Sequence, residues 1–92
     1  MPHDTSITIP KHVLSESLND ETVLLDMSSG LYFGLSPVAS RYWQLLGEGV
    51  SAETTRSTIL AEFDVTPEVL DSDLDSLLSE LESKKLIERQ TN

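Results

Sequence analysis

Leu31-Tyr32-Phe33-Gly34-Leu35-Ser36-Pro37-Val38-Ala39-Ser40-Arg41-Tyr42-Trp43-Gln44-Leu45-Leu46 changes its hydrophobic period part-way along, and that change sets the fold. Up to Leu35 the residues alternate. Leu31, Phe33 and Leu35 point one way and Tyr32 and Gly34 the other, as in a strand with one buried face. Ser36 then suits an N-cap and Pro37 the first helical position, where its missing amide costs nothing. Beyond them Val38, Ala39, Tyr42, Trp43, Leu45 and Leu46 recur at helical spacing until Gly47 and Gly49 close the run. A strand therefore passes directly into a helix.

Upstream, Thr22 to Met27 carries Val23, Leu24 and Leu25, a β-rich run. Ser28-Ser29-Gly30 supplies the small residues of a hairpin loop, so 22–35 reads as a hairpin. Asn19-Asp20 is a further turn signal, and His12 to Ser15 reads as a first short strand of the same antiparallel meander. Met1 to Pro10 reads as a loose arm, with strand character in Ile7 to Ile9. Downstream, Ser51 caps a second helix over Ala52–Phe63, striped by Thr55, Ile59, Leu60 and Phe63. Thr66-Pro67-Glu68 opens a third helix, whose apolar stripe is Leu70, Leu74, Leu77, Leu78 and Leu81. Lys84 and Lys85 suit its carbonyl end, Leu86 and Ile87 fold back on the core, and residues 89–92 form a frayed tail. The order predicts an α+β domain of winged helix-turn-helix-like type, a three-stranded antiparallel sheet followed by three helices. One domain spans 1–92, with its core at about 12–88.

Charge narrows the function. Sixteen Asp and Glu face six Lys and Arg, a formal charge of −10. Such a field opposes phosphate backbones, and the third helix presents Glu68, Asp71, Asp73 and Asp75 where a recognition helix would carry basic or amide side chains. This argues against nucleic acid, with a winged-helix DNA-binding protein left as an alternative of another class; a basic peptide is attracted, or the acidic surface simply keeps a small domain soluble. The chain has no cysteine, no secretory signal and no apolar run of membrane-spanning length, which points to the cytoplasm and away from a membrane.

Catalysis finds no support. His3 and His12 both lie near the N-terminus with no third metal ligand in register, and the glycines form no phosphate cradle. The carboxylates of the third helix ride its outward face, so neither a cofactor nor a metal is expected. Asp75-Ser76-Leu77 resembles the attachment site of carrier proteins, but Ser76 lies inside the last helix, where a prosthetic arm lacks its platform. What remains is binding through backbone. Leu31–Leu35, last of the meander, is a candidate edge strand to which an extended peptide can add. Gly34 permits close approach, or else marks a bulge, and Tyr32 offers an amphipathic contact.

A family resemblance sharpens this. Val23-Leu24-Leu25-Asp26, the turn through Gly30, the run Leu35 to Leu46 closed by Gly49, then Asp73-Leu74-x-x-Leu77-Leu78-x-x-Leu81 and Leu86-Ile87 together resemble the PqqD-like family, over roughly 22–88. The resemblance implies a recognition element that binds the leader of a ribosomally made precursor peptide. The leader adds beside Leu31, Tyr32, Phe33, Gly34 and Leu35, against a helix wall of Val69, Leu70, Asp73, Leu74 and Leu77. Asp73 sits at the family's frequent acidic position, to meet a basic leader residue or to cap local structure, and Trp43 at a core aromatic. Val38, where threonine is common, is a departure expected to lie away from the groove, as is the lengthened Leu46-Gly47-Glu48-Gly49 turn. As a free-standing chain it resembles the leader-binding proteins of lasso-peptide clusters, whose partners are a leader peptidase and an ATP-dependent cyclase. The other free-standing role in the family serves a radical SAM enzyme in pyrroloquinoline quinone assembly. Open strand edges also allow a homodimer.

Overall fold

Three helices each begin on the hydroxyl that the sequence offers. The structure, a computed structural model, describes residues 5–19 and 21–91. His3, and the Asp20 half of the Asn19-Asp20 turn, lie outside the described residues. Ser36 Oγ accepts from the Ala39 amide at 3.2 Å and Ser51 Oγ from Thr54 at 3.2 Å. Thr66 Oγ1 accepts from Val69 at 3.3 Å. These caps start α1 (Pro37–Gly47), α2 (Ala52–Glu62) and α3 (Pro67–Ser83).

Before the helices come β1 (Thr5–Thr8), β2 (Val13–Leu18), β3 (Glu21–Asp26) and β4 (Leu31–Leu35), and after them β5 (Glu88–Thr91). The antiparallel sheet has the order β2-β3-β4, so the expected three-stranded sheet followed by three helices is present. Its first strand is longer than the His12–Ser15 reading and runs on to Leu18, where Asn19 turns at φ 58. The β3–β4 turn is held by Asp26, whose carbonyl accepts from Gly30 at 2.7 Å and whose Oδ1 accepts from Ser28 at 2.9 Å. Gly30 stands at φ 77, the position for which glycine is needed.

The chain ends differ from expectation. Residues read as a loose arm and a frayed tail pair as a second antiparallel sheet, β1-β5, with Ile7 opposite Arg89 and Thr8 opposite Glu88. Burial explains it: Ile7 and Ile9 pack against the core, and Arg89 is anchored to Glu82 of α3 at 2.9 Å.

The core has two lobes. Val13, Leu24, Leu35, Trp43, Leu81, Leu86 and Ile87 fill the space between sheet and helices. Tyr42, Leu45, Ile59 and Leu70 fill the space among the helices. Leu77 and Leu78 of α3 pack against both. Trp43, 6% exposed, is a packing residue as read.

Candidate functional site: the open edge of β4 and its groove

β4 pairs with β3 on one side and, among the described residues, with nothing on the other. Which of its backbone groups point outward follows from the ladder. The Met27 amide donates to the His12 carbonyl at 2.8 Å. Antiparallel bonding alternates, so Glu21, Val23 and Leu25 bond toward β2, and Thr22, Leu24 and Asp26 toward β4. Leu31, Phe33 and Leu35 are therefore the inward-bonding residues of β4. The amides and carbonyls of Tyr32 and Gly34 face off the edge.

Side chains on this strand follow the expected alternation at Phe33 and Leu35 but not at Leu31, which shares their face yet is exposed at the start of the strand. Leu35 is buried, Phe33 is half-buried against the core, and the Lys84 Nζ stands 5.8 Å from the Phe33 ring centroid. Leu31 and Tyr32 are exposed, at 70% and 73%. Gly34 has ordinary extended backbone, with nothing within 4 Å of where a Cβ would stand. No bulge occurs, since Gly34 pairs in register with Val23. Nothing in the fold itself demands glycine there.

Beside the end of β4 a groove of about 260 Å³ opens between the start of α1 and the middle of α3. Ser36, Val38 and Ala39 form one wall, and Asp73, Leu74, Ser76, Leu77 and Glu80 the other. The structure thus brings Asp73, Leu74 and Leu77 together as anticipated. Leu70 differs: it is fully buried and supports the wall from behind. Val69 is 51% exposed, one turn before Asp73 on the same helix. Val38 corrects the reading that placed it away from the groove, because it lines the α1 wall. Ser76 and Glu80 were missed as site residues. Their signal was the spacing Val69, Asp73, Ser76, Glu80, a second helical stripe beside the leucine one.

Electrostatically the groove is acidic. All three arginines are paired with carboxylates of the same chain at its surface: Arg41 with Glu62 at 2.8 Å, Arg56 with Asp71 at 2.7 Å and Arg89 with Glu82. Hydrogen bonding to Arg56 lowers the Asp71 carboxyl and hydrogen bonding to Arg41 lowers Glu62, so both stay ionised below the usual carboxylate range. Burial pushes Asp26 up, but bonds from Ser28 and Ser29 outweigh it and hold that carboxyl below its ordinary value. Asp73 and Glu80 make no ion pair among the described residues, which leaves two carboxylates open to a cationic visitor.

Residues 21–87 match the family model for coenzyme PQQ synthesis protein D, PqqD. The chain belongs to the PqqD family. Those bounds nearly coincide with the stretch over which the sequence resembles it. A solved structure, described as TbiB1 in complex with the TbiA(beta) leader peptide, is similar to this PqqD-family chain with 41% identity and a TM-score of 0.79. The likeness covers 88% of this chain and 94% of that one. No curated protein gives a significant match. Among the described residues no cluster of His, Cys, Asp or Glu could hold a metal ion, and no helix is long and apolar enough to cross a membrane.

Proposed function

We propose that this chain is a non-catalytic adaptor. It takes the leader segment of a ribosomally synthesised precursor peptide as an added strand beside β4 and presents it to a processing enzyme. The carrying observation is the open edge, where Tyr32 and Gly34 offer two amides and two carbonyls beside an acidic, apolar-floored groove. The leader peptide in the similar TbiB1 structure supports the same reading. Main-chain bonds to Tyr32 and Gly34 supply affinity, while Leu31, Val69, Leu74 and Leu77 meet apolar leader side chains and Asp73 a basic one. Phe33, Leu35 and Leu70 act from behind, by holding strand and helix in place.

Within that role we favour a lasso-type setting, with a leader peptidase and an ATP-dependent cyclase as partners in the cytoplasm. The support is the resemblance, carried by the motifs of the sequence, to the leader-binding proteins of lasso-peptide clusters. A second reading, service to a radical SAM enzyme in pyrroloquinoline quinone assembly, is favoured by the family description alone. The neighbouring genes separate the two.

The binding test is fluorescence polarisation with a labelled synthetic leader from the precursor encoded beside this chain. Gly34→Pro removes an outward amide while leaving the β3 ladder whole, and should weaken binding about tenfold or more, the worth of one main-chain bond and its neighbours. Gly34→Val crowds the approach and should weaken it too. Far-UV circular dichroism should show both variants folded. If both fold and bind as the parent does, another edge is used; if the parent chain does not bind, the adaptor reading falls.

A further inference from the structure

The outer face of the three-stranded sheet is apolar where water should meet polar residues. An antiparallel sheet packed on one side ordinarily alternates apolar-in and polar-out. Here the register lines up Leu14, Leu25 and Tyr32 across all three strands on the outward side, with Val23 in the next row and Leu18 at the far end of β2. Leu14 is 51% exposed and Leu18 66%. A shallow depression of about 530 Å³ lies over this face, lined by Leu14, Leu18, Val23, Leu25 and Tyr32. The charges on this face are Glu16 and Glu21, with no lysine or arginine. Contiguous apolar surface of this kind marks an interaction site.

We infer that this face docks the enzyme that processes the leader, through an apolar surface edged with basic side chains. The inference rests on the adaptor reading above. Two observations choose the occupant. The face carries carboxylates only, so a second copy would bring like charges together within an apolar contact, whereas a basic-rimmed partner would neutralise them. The face is also continuous with the leader's strand. Tyr32 lies on it, while the Tyr32 backbone belongs to the open edge of β4. An enzyme seated there lies directly beside a peptide bound at the edge, and the docked leader leaves the face uncovered.

The test uses the full chain, its labelled leader, and the purified leader peptidase encoded beside it. A Leu14→Glu/Leu18→Glu double variant should bind leader with unchanged affinity, lose at least tenfold in affinity for the peptidase, and slow precursor cleavage to match. Glu16→Lys should independently weaken the peptidase complex and flatten its salt dependence. Leader and peptidase affinities both equal to those of the parent would overturn the proposal. So would sedimentation equilibrium showing a parent dimer that the double variant turns into monomers with peptidase affinity intact, since the face would then belong to self-association. Absence of leader binding by the parent chain is a separate result, and counts against the adaptor reading itself.

Discussion

Ser40 does the work of a missing ladder bond. The Thr22 amide donates to Ser40 Oγ at 2.8 Å, and that hydroxyl donates to the Leu35 carbonyl at 3.3 Å, both bonds buried. Thr22 and Leu35 are register partners, so one side chain from α1 bridges the last rung between β3 and β4. It also fixes where β4 hands over to α1, and hence where the groove begins. Ser40→Ala strands a buried amide and carbonyl, and should cost about 1–3 kcal/mol in urea unfolding, with the m-value unchanged. Alternation at Phe33 and Leu35 was legible because it is local; Leu31 shares their face but is left exposed at the start of the strand. The Ser40 bridge was not, because a serine in a helix carries no sign of a partner 18 residues away. Val38 misled for a related reason. Helical spacing put it on the apolar stripe, but in the first turn that stripe is also the rim of the groove.

Among the elements, α3 shows most clearly how a helix is ended and turned back. Leu86 donates to the Leu81 carbonyl at 2.9 Å and Lys85 to that of Glu82 at 3.0 Å, the double bond of a Schellman motif. Leu81 and Leu86 bury together in the sheet-side lobe, which completes it. α1 ends the same way, through Val50 to Leu45 at 3.1 Å and Gly49 to Leu46 at 3.1 Å. At α1 the left-handed residue is Gly49, φ 79; at α3 it is Lys85, φ 61. The strain of a side chain there is about 1 kcal/mol. Lys85→Gly should therefore raise the unfolding free energy by about that amount, read as a shift in urea midpoint. The carbonyl that His12 Nε2 contacts at 3.1 Å is kept. Gly49 could be read as a helix end; Lys85 could not, because lysine gives no warning of a left-handed turn.

Across the whole molecule, the two core lobes meet along α1 and α3, and the groove lies between those helices. A peptide bridging β4 and α3 would fasten both lobes, so binding should appear as stability. With leader at 100 times its dissociation constant the gain is about 2.7 kcal/mol, or roughly 10–20 °C in melting temperature for a domain of this size. Differential scanning fluorimetry with the synthetic leader measures it, and a scrambled peptide should give no shift. At this scale the sequence was least informative. β1 and β5 pair Thr5 with Thr91 across almost the whole chain, and neither segment has a local pattern that announces a partner. Sheet order and three capped helices were legible because each rests on contacts within a few residues; closure of the ends rests on contacts spanning the polypeptide.

That terminal ribbon has a practical corollary. The first and last described residues, Thr5 and Thr91, are cross-strand neighbours, so anything tethered at either end departs from one shared point. A short linker could join the two, letting the polypeptide be reopened elsewhere or spliced whole into a loop of a larger enzyme. Cargo attached at the two ends would also be held at high mutual concentration.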